Sequence, residues 1–328
     1  MMPVKRGRMP RVAGAAGLAI CAMVVASCRG GADQPAQPPD AATAPPGAAG
    51  AGTDPGGNNP PDTAAAREEL ARGLALLKKG ETLEAIRSLA AAVRLDPGLI
   101  DGYLALGDAY LRHEDRRSAF LAFNEAVLRD PDNPSALYNL GVMHYMGGEF
   151  MNAEALLIKA QKLRPDDAQV AFRLGMAKLN NGSVQDAADV LRRALDIDPS
   201  LSEAWLNLGT CMATLGRHEE AREAYRKALE AKPGWSEALN GMGVLAQAQD
   251  RDAEAEKLFR QALAADPNNL RVRANIGSLL EKQGKREEAI AEYQIYLDSW
   301  RGDLAAAESV RKRIEILRAA RPGPSPSP

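Results

Sequence analysis

Residues 202–235 read SEAWLNLGTCMATLGRHEEAREAYRKALEAKPGW. Apolar side chains recur at helical spacing in two blocks, Trp205, Leu208 and Met212, then Ala221, Tyr225, Ala228 and Leu229, with Gly216 between them. The pattern predicts two helices, A and B, joined by a short turn. Pro233 lacks an N–H and clashes with the preceding turn, so it ends helix B. Outward from this stretch, prolines stand at Pro97, Pro131, Pro165, Pro199, Pro233 and Pro267, each 34 residues after the last. A fixed period of this length marks a stack of identical supersecondary units.

A frame counted from Ala66 puts these prolines in slot 32 of 34. Slot 8 is then Gly73, Gly107, Gly141, Gly175, Gly209, Gly243 and Gly277. Slot 20 is Ala85, Ala119, Ala153, Ala187, Ala221, Ala255 and Ala289, and slot 27 is alanine in six copies and Tyr296 in the seventh. A glycine inside a helix costs about 1 kcal/mol relative to alanine, so seven in one slot need a cause. A missing side chain lets helix B approach closely, and the alanines do the same from the other side. The turns between A and B carry Gly80, Gly148, Gly182, Gly216 and Gly284.

The unit resembles the tetratricopeptide repeat, in segments such as Ala204-Trp205-Leu206-Asn207-Leu208-Gly209 and Glu219-Glu220-Ala221. The resemblance implies an all-α fold: a right-handed superhelical solenoid of seven helix pairs plus a C-terminal capping helix. The copies are 66–99, 100–133, 134–167, 168–201, 202–235, 236–269 and 270–303, within a repeat region 63–302. Departures fall at the ends. The first copy follows Asp62-Thr63, a good N-cap pair. The seventh lacks the proline and runs through Trp300-Arg301-Gly302-Asp303. Asp303 would cap a last helix at about 304–319, within a capping segment 303–320, whose Leu304, Val310, Ile314 and Leu317 cover the end of the stack. Such caps keep terminal surfaces soluble. Residues 321–328 read as a disordered tail.

In the resembled family, slots 5, 9 and 12 of helix A line a concave groove that takes a protein partner. Here that stripe is richest in Leu104, Tyr138, Val142, Tyr145, Phe172, Met176, Leu179 and Leu206, and it turns polar in the last copies. The alternative is that these side chains pack against the next repeat, and part of each must do both. Asn139 and Arg173 occupy two places of the family's two-carboxylate clamp. Leu104, Asp108 and Gln169 stand where its other donors belong, so the clamp is not expected. Asn139, Asn207 and Asn275 are candidates for hydrogen bonds to an extended backbone.

Little else in the chain carries chemistry. His113, His144 and His218 lie in different slots without partners at metal-ligand spacing. The acid pairs Glu219-Glu220 and Glu287-Glu288 open helices B, where negative charge complements the helix dipole. Cys211 is alone in the body of the chain and reads as a small buried residue. The expectation is no enzyme, no catalytic residue, no metal, no cofactor and no small-molecule substrate. The net charge of −2 includes Lys5, Arg6, Arg8 and Arg11, and without those four cations the remainder stands at −6. No basic stripe is left to neutralise phosphates, so nucleic acid is not an expected partner.

Those four cations precede an apolar run, Val12–Ala26, whose fifteen residues fall short of the roughly 20 that span a bilayer. A signal peptide at 1–27 fits better. Its end, Val25-Ala26-Ser27-Cys28, resembles the bacterial lipobox, which implies acylation of Cys28 and a membrane anchor. The earlier Leu18-Ala19-Ile20-Cys21 places bulky Ile20 beside the cut. An ordinary cleaved signal is the alternative, and it would leave the protein unanchored. Arg29, in place of an inner-membrane retention Asp, points to the outer membrane. Residues 28–62 are rich in Pro, Ala and Gly and have almost nothing large to bury, so they read as a disordered tether with a reach of about 30 Å.

Lipobox and repeats together predict a membrane-anchored binding scaffold or assembly factor of a bacterial envelope complex, facing the periplasm. They resemble the tetratricopeptide pilotins of type IV pili. The competing expectation is a regulatory or carrier subunit of a cell-wall or secretion enzyme, with activity supplied by a partner.

Overall fold

The computed structural model describes residues 62–302 and 304–319. The readings on the signal segment, Cys28, the tether, the Asp303 cap and the tail lie outside these residues. All regular structure described is α-helical. The chain divides into two compact units, one ending at Pro267 and one beginning at Asn268.

The first unit contains twelve helices: α1 Thr63–Lys79, α2 Thr82–Leu95, α3 Ile100–Arg112, α4 Arg116–Arg129, α5 Pro134–Met146, α6 Phe150–Leu163, α7 Ala168–Asn180, α8 Val184–Ile197, α9 Ser202–Thr214, α10 His218–Ala231, α11 Ser236–Ala248 and α12 Asp252–Ala265. From α3 onward every helix A begins at the first residue of its expected copy. Helix α1 starts three residues before the frame because Asp62 caps it, accepting from the Ala65 N–H at 3.0 Å. Asp115, Asn133 and Asp167 cap α4, α5 and α7 in the same way. Each B helix ends two residues before its proline, and the residue between is extended, as at Asp96 and Asp198.

Between A and B the chain turns through a left-handed residue. It is Gly80 (φ 82°), Gly148 (78°), Gly182 (87°) and Gly216 (73°), but Glu114 (61°) and Asp250 (56°) take the equivalent places. These two are the exceptions to the glycine rule of the turn, and they adopt the same backbone.

Packing explains the slot 8 glycines more sharply than close approach alone. Each faces one large side chain from slot 24 of its own helix B. A Cβ on Gly73 would lie 2.6 Å from Leu89, on Gly107 2.4 Å from Phe123, on Gly175 2.7 Å from Leu191, and on Gly243 2.5 Å from Phe259. The alanines of slots 20 and 27 are fully buried around them. Every helix A packs on its own helix B, and the next A on the preceding B, so helix packing continues through the unit while the buried side chains gather in adjoining clusters. Polar ties join successive copies. Lys178 Nζ donates to Glu154 Oε1 at 2.8 Å, and Arg112 donates to the Leu77 carbonyl at 3.2 Å. The carbonyl of the slot 32 proline is reached from the following copy: Pro97 by Arg129 at 2.6 Å, Pro131 by Lys159 at 2.5 Å and Pro165 by Arg193 at 3.0 Å.

The second unit holds α13 Leu270–Lys282, α14 Arg286–Ser299 and α15 Leu304–Ala319. Gly277 seats the Tyr293 ring, and Tyr296, which replaces the slot 27 alanine, stacks on Trp300 with centroids 5.2 Å apart. Helix α15 buries Ala307, Ile314 and Leu317. Leu304, expected among the covering residues, is 78% exposed; Ala307, one turn on, takes the inward position. Arg313 forks onto Glu281, with Nε donating at 2.7 Å. Asn275 is buried, which removes it from the side chains available to a partner.

Candidate functional site

The expected groove stripe is carried by the A helices of the first unit, of which α1 and α3, α5 and α7, α7 and α9, and α9 and α11 touch directly. Spacing of three and four residues aims slots 5, 9 and 12 of each helix along one face. What decides their use is depth. Leu104, Tyr138, Asn139, Val142, Tyr145, Arg173, Met176, Leu179, Leu206 and Asn207 are all half-buried. Leu74 at one end is 42% exposed.

Phe172 differs from the others, being only 7% exposed and part of the core formed by α7 to α11. Of the two readings of that position, packing describes it, and Phe172 is withdrawn as a groove anchor. The reason is its neighbour: the next A helix, α9, brings Ala204 and Leu208 into the same cluster. Met176, Leu179 and Leu206 rest on the outside of that cluster, while Tyr138 and Tyr145 rest on the adjoining one. These side chains therefore have an inner edge in the core and an outer edge in solvent.

Tyr145 is the best fixed of them. Its ring lies 5.5 Å from that of Phe150, and its hydroxyl accepts from Asn180 Nδ2 at 3.0 Å. Neither Phe150 nor Asn180 was expected at the site. Asn180 follows Leu179 directly, so the slot beside the stripe was the available signal. Asn207 Nδ2 donates to the Glu203 carbonyl at 2.7 Å, which leaves its oxygen for other partners. Thr210, in the polar part of the stripe, donates to the Leu206 carbonyl and lies 3.3 Å from the Tyr225 hydroxyl. Arg173 lays its guanidinium 5.4 Å from the Phe172 ring centroid.

Other chemistry is sparse. Among the described residues no group of three or more His, Cys, Asp or Glu could hold a metal ion, and no helix is long and apolar enough to cross a membrane. Cys211 is fully buried, and burial pushes its thiol up to about 12. His144 pairs through Nδ1 with Glu149 at 2.8 Å and meets the Phe120 ring edge-on. A depression between α8 and α10, lined by Arg192, Trp205, Met212 and Glu220, is spanned by the Arg192–Glu220 ion pair at 3.1 Å.

Two family models match the chain. One, described as the tetratricopeptide repeat, matches residues 104–157 and 147–202. The other, the cytochrome c-type biogenesis protein H TPR domain, matches residues 176–303. Among curated proteins, Superkiller complex protein 3 of Mus musculus is 31% identical over 96 residues, which are 28% of this chain. The chain spans about 6% of the length of the curated relatives it matches. Among solved structures, PilF of Pseudomonas aeruginosa superposes with a TM-score of 0.56 at 21% identity, over 64% of this chain and 96% of that one. A tetratricopeptide repeat protein of Parabacteroides merdae gives 0.61 at 15% identity, over 78% and 99%. At these identities the likeness is one of fold. Helix pairs of constant length, a glycine seat in each and both family matches agree, and the chain belongs to the tetratricopeptide repeat family.

Proposed function

We propose that this chain is a lipid-anchored scaffold or assembly factor of a bacterial envelope complex, holding a protein partner in the groove formed by its A helices. One observation carries the binding role: Tyr138, Val142, Tyr145, Met176 and Leu179, on the touching helices α5 and α7, keep an apolar edge in solvent although the core beneath them is complete. Contiguous apolar surface of that kind marks interaction sites, and aromatic residues are typical anchors in them. The anchor reading rests on Val25-Ala26-Ser27-Cys28. With Arg29 after the cysteine, it supports a location at the envelope, on the outer membrane facing the periplasm. The match of residues 176–303 to a domain named for cytochrome c-type biogenesis supports an assembly role.

Photo-crosslinking residues placed at Val142 and Met176 in living cells test the groove, with exposed Gln185 on α8 as the control. Adducts with a defined protein are expected at the first two positions and not at Gln185. Equal labelling at all three, or none at the groove, would overturn the reading. Cys28→Ser tests the anchor in the same cells. It should leave the precursor unprocessed, and normal processing with normal membrane fractionation would refute lipidation.

A further inference from the structure

One ionisable side chain, Asp108, interrupts the apolar stripe, and another, Arg173 in slot 6, stands beside it at the far end of its aromatic part. Asp108 on α3 shares slot 9 with Val142 and Met176 and stays open to solvent at its tip. It forms no ion pair or hydrogen bond among the described residues. Partial withdrawal from water raises its carboxyl above the usual range, and Arg112, one turn on, opposes that shift. Arg173 on α7 is the counterpart. Its Nε is buried with no acceptor, and its guanidinium lies over the face of Phe172. A guanidinium cannot discharge by losing a proton and carries five donors, so a buried donor without an acceptor is costly. Elsewhere in the unit arginines find carboxylates, as Arg192 does with Asp189 and Glu220, and Arg217 does with Glu220.

Between the acid and the base lie Leu111, Tyr138, Val142 and Tyr145, all half-buried and without formal charge. Asp108 and Arg173 stand on A helices two copies apart, with α5 between them in the chain.

We infer that the occupant of the groove is an apolar peptide segment with a cationic side chain at the end over α3 and a carboxylate at the end over α7. This deepens the groove reading and rests on it. The pair of charges sets direction: a segment laid the other way would bring carboxylate to Asp108 and cation to Arg173, and like charges across an interface suppress the wrong pairing. The apolar middle supplies affinity, and the ends supply polarity.

Selection of peptides from a random display library on the full chain, followed by fluorescence polarisation of the winners, tests this. The winners should carry Lys or Arg before or after an apolar run and Asp or Glu at its other end. Arg173→Gln and Asp108→Asn should each weaken binding at least tenfold, and the double reversal Asp108→Lys with Arg173→Glu should prefer charge-swapped peptides. Winners lost on Val142→Lys but indifferent to positions 108 and 173 would overturn the polarity and leave the groove standing. Winners indifferent to all three positions, or no winners, would overturn both. Circular dichroism accompanies each variant. Should Arg173→Gln fail to fold, Asp108→Lys at its solvent-open position carries the test, with the same tenfold criterion.

Discussion

Replacing Gly175 by alanine reverses the usual rule for helices. In an ordinary helix interior the change gains about 1 kcal/mol. Here the new methyl would lie 2.7 Å from Leu191 Cγ and 2.8 Å from its Cδ2, and Leu191 is fully buried. The Cγ branch point cannot swing aside as a chain end would, so the helices must part or Leu191 must leave its rotamer. Overpacking of this kind costs about 1–3 kcal/mol, enough to cancel the propensity gain and to leave Gly175→Ala destabilising by up to about 2 kcal/mol. Leu191→Ala alone should cost about 2–5 kcal/mol, through lost burial and the cavity left behind. In the double variant the methyl of position 175 enters the space that Leu191 vacates, so it should be no less stable than Leu191→Ala alone. The coupling between the two sites is then at least about 1 kcal/mol in the stabilising direction. Because arrays of repeats do not unfold in one step, the measurement is amide hydrogen exchange in α7 and α8, supported by urea unfolding. A stabilising Gly175→Ala, or strictly additive effects, would refute the seat.

Phe172→Asp should lower the melting temperature and strip amide protection from α7 to α11, because it buries a charge in their shared core. Val142→Asp should melt near the parent temperature and lose groove crosslinks; similar melting of the two variants would return Phe172 to the surface. Glu114→Gly relieves a left-handed residue worth about 1–2 kcal/mol and returns part of it as chain entropy. The melting temperature should therefore rise by a few degrees, and a fall would count against strain at that turn. The Cys211 thiol, held at about 12, keeps its proton where the unfolded thiol loses it. At this thiol the folded and unfolded chains differ in protons bound from about pH 9 upward, where the folded state holds more, so its contribution to stability falls as pH rises. Thiol labelling at pH 8 should await unfolding, and fast labelling of the native chain would contradict that burial.

The repeat was legible to the residue because its constraints are steric. A proline cannot continue a helix, and a slot that seats Leu89 or Phe123 admits nothing beyond glycine. Helix starts at Ile100, Pro134, Ala168, Ser202, Ser236 and Leu270 followed directly. Slot 24 itself stayed unread, because Leu, Phe and Tyr alternate there and no single letter repeats. Glu114 and Asp250 were missed for a related reason: a turn can force a left-handed residue without requiring glycine. The groove was legible as a stripe but not as a depth. Periodicity tells which face Phe172 and Tyr138 share, and only the packing of α9 tells that one is buried and the other half exposed. Leu304 was misplaced because the covering phase of α15 is set by Ala307, a residue too small to stand out.

The proline carbonyls of the first three copies give the chain a schedule. Pro97 waits for Arg129, Pro131 for Lys159 and Pro165 for Arg193, each 28 to 32 residues further on. A ribosome delivers the donor only after nearly a whole further copy has been made. These bonds are exposed, so water serves each carbonyl until the next B helix docks and completes the junction. The nascent protein would carry a single unfinished junction that travels towards the C-terminus, and that junction is where a chaperone or a protease would find it.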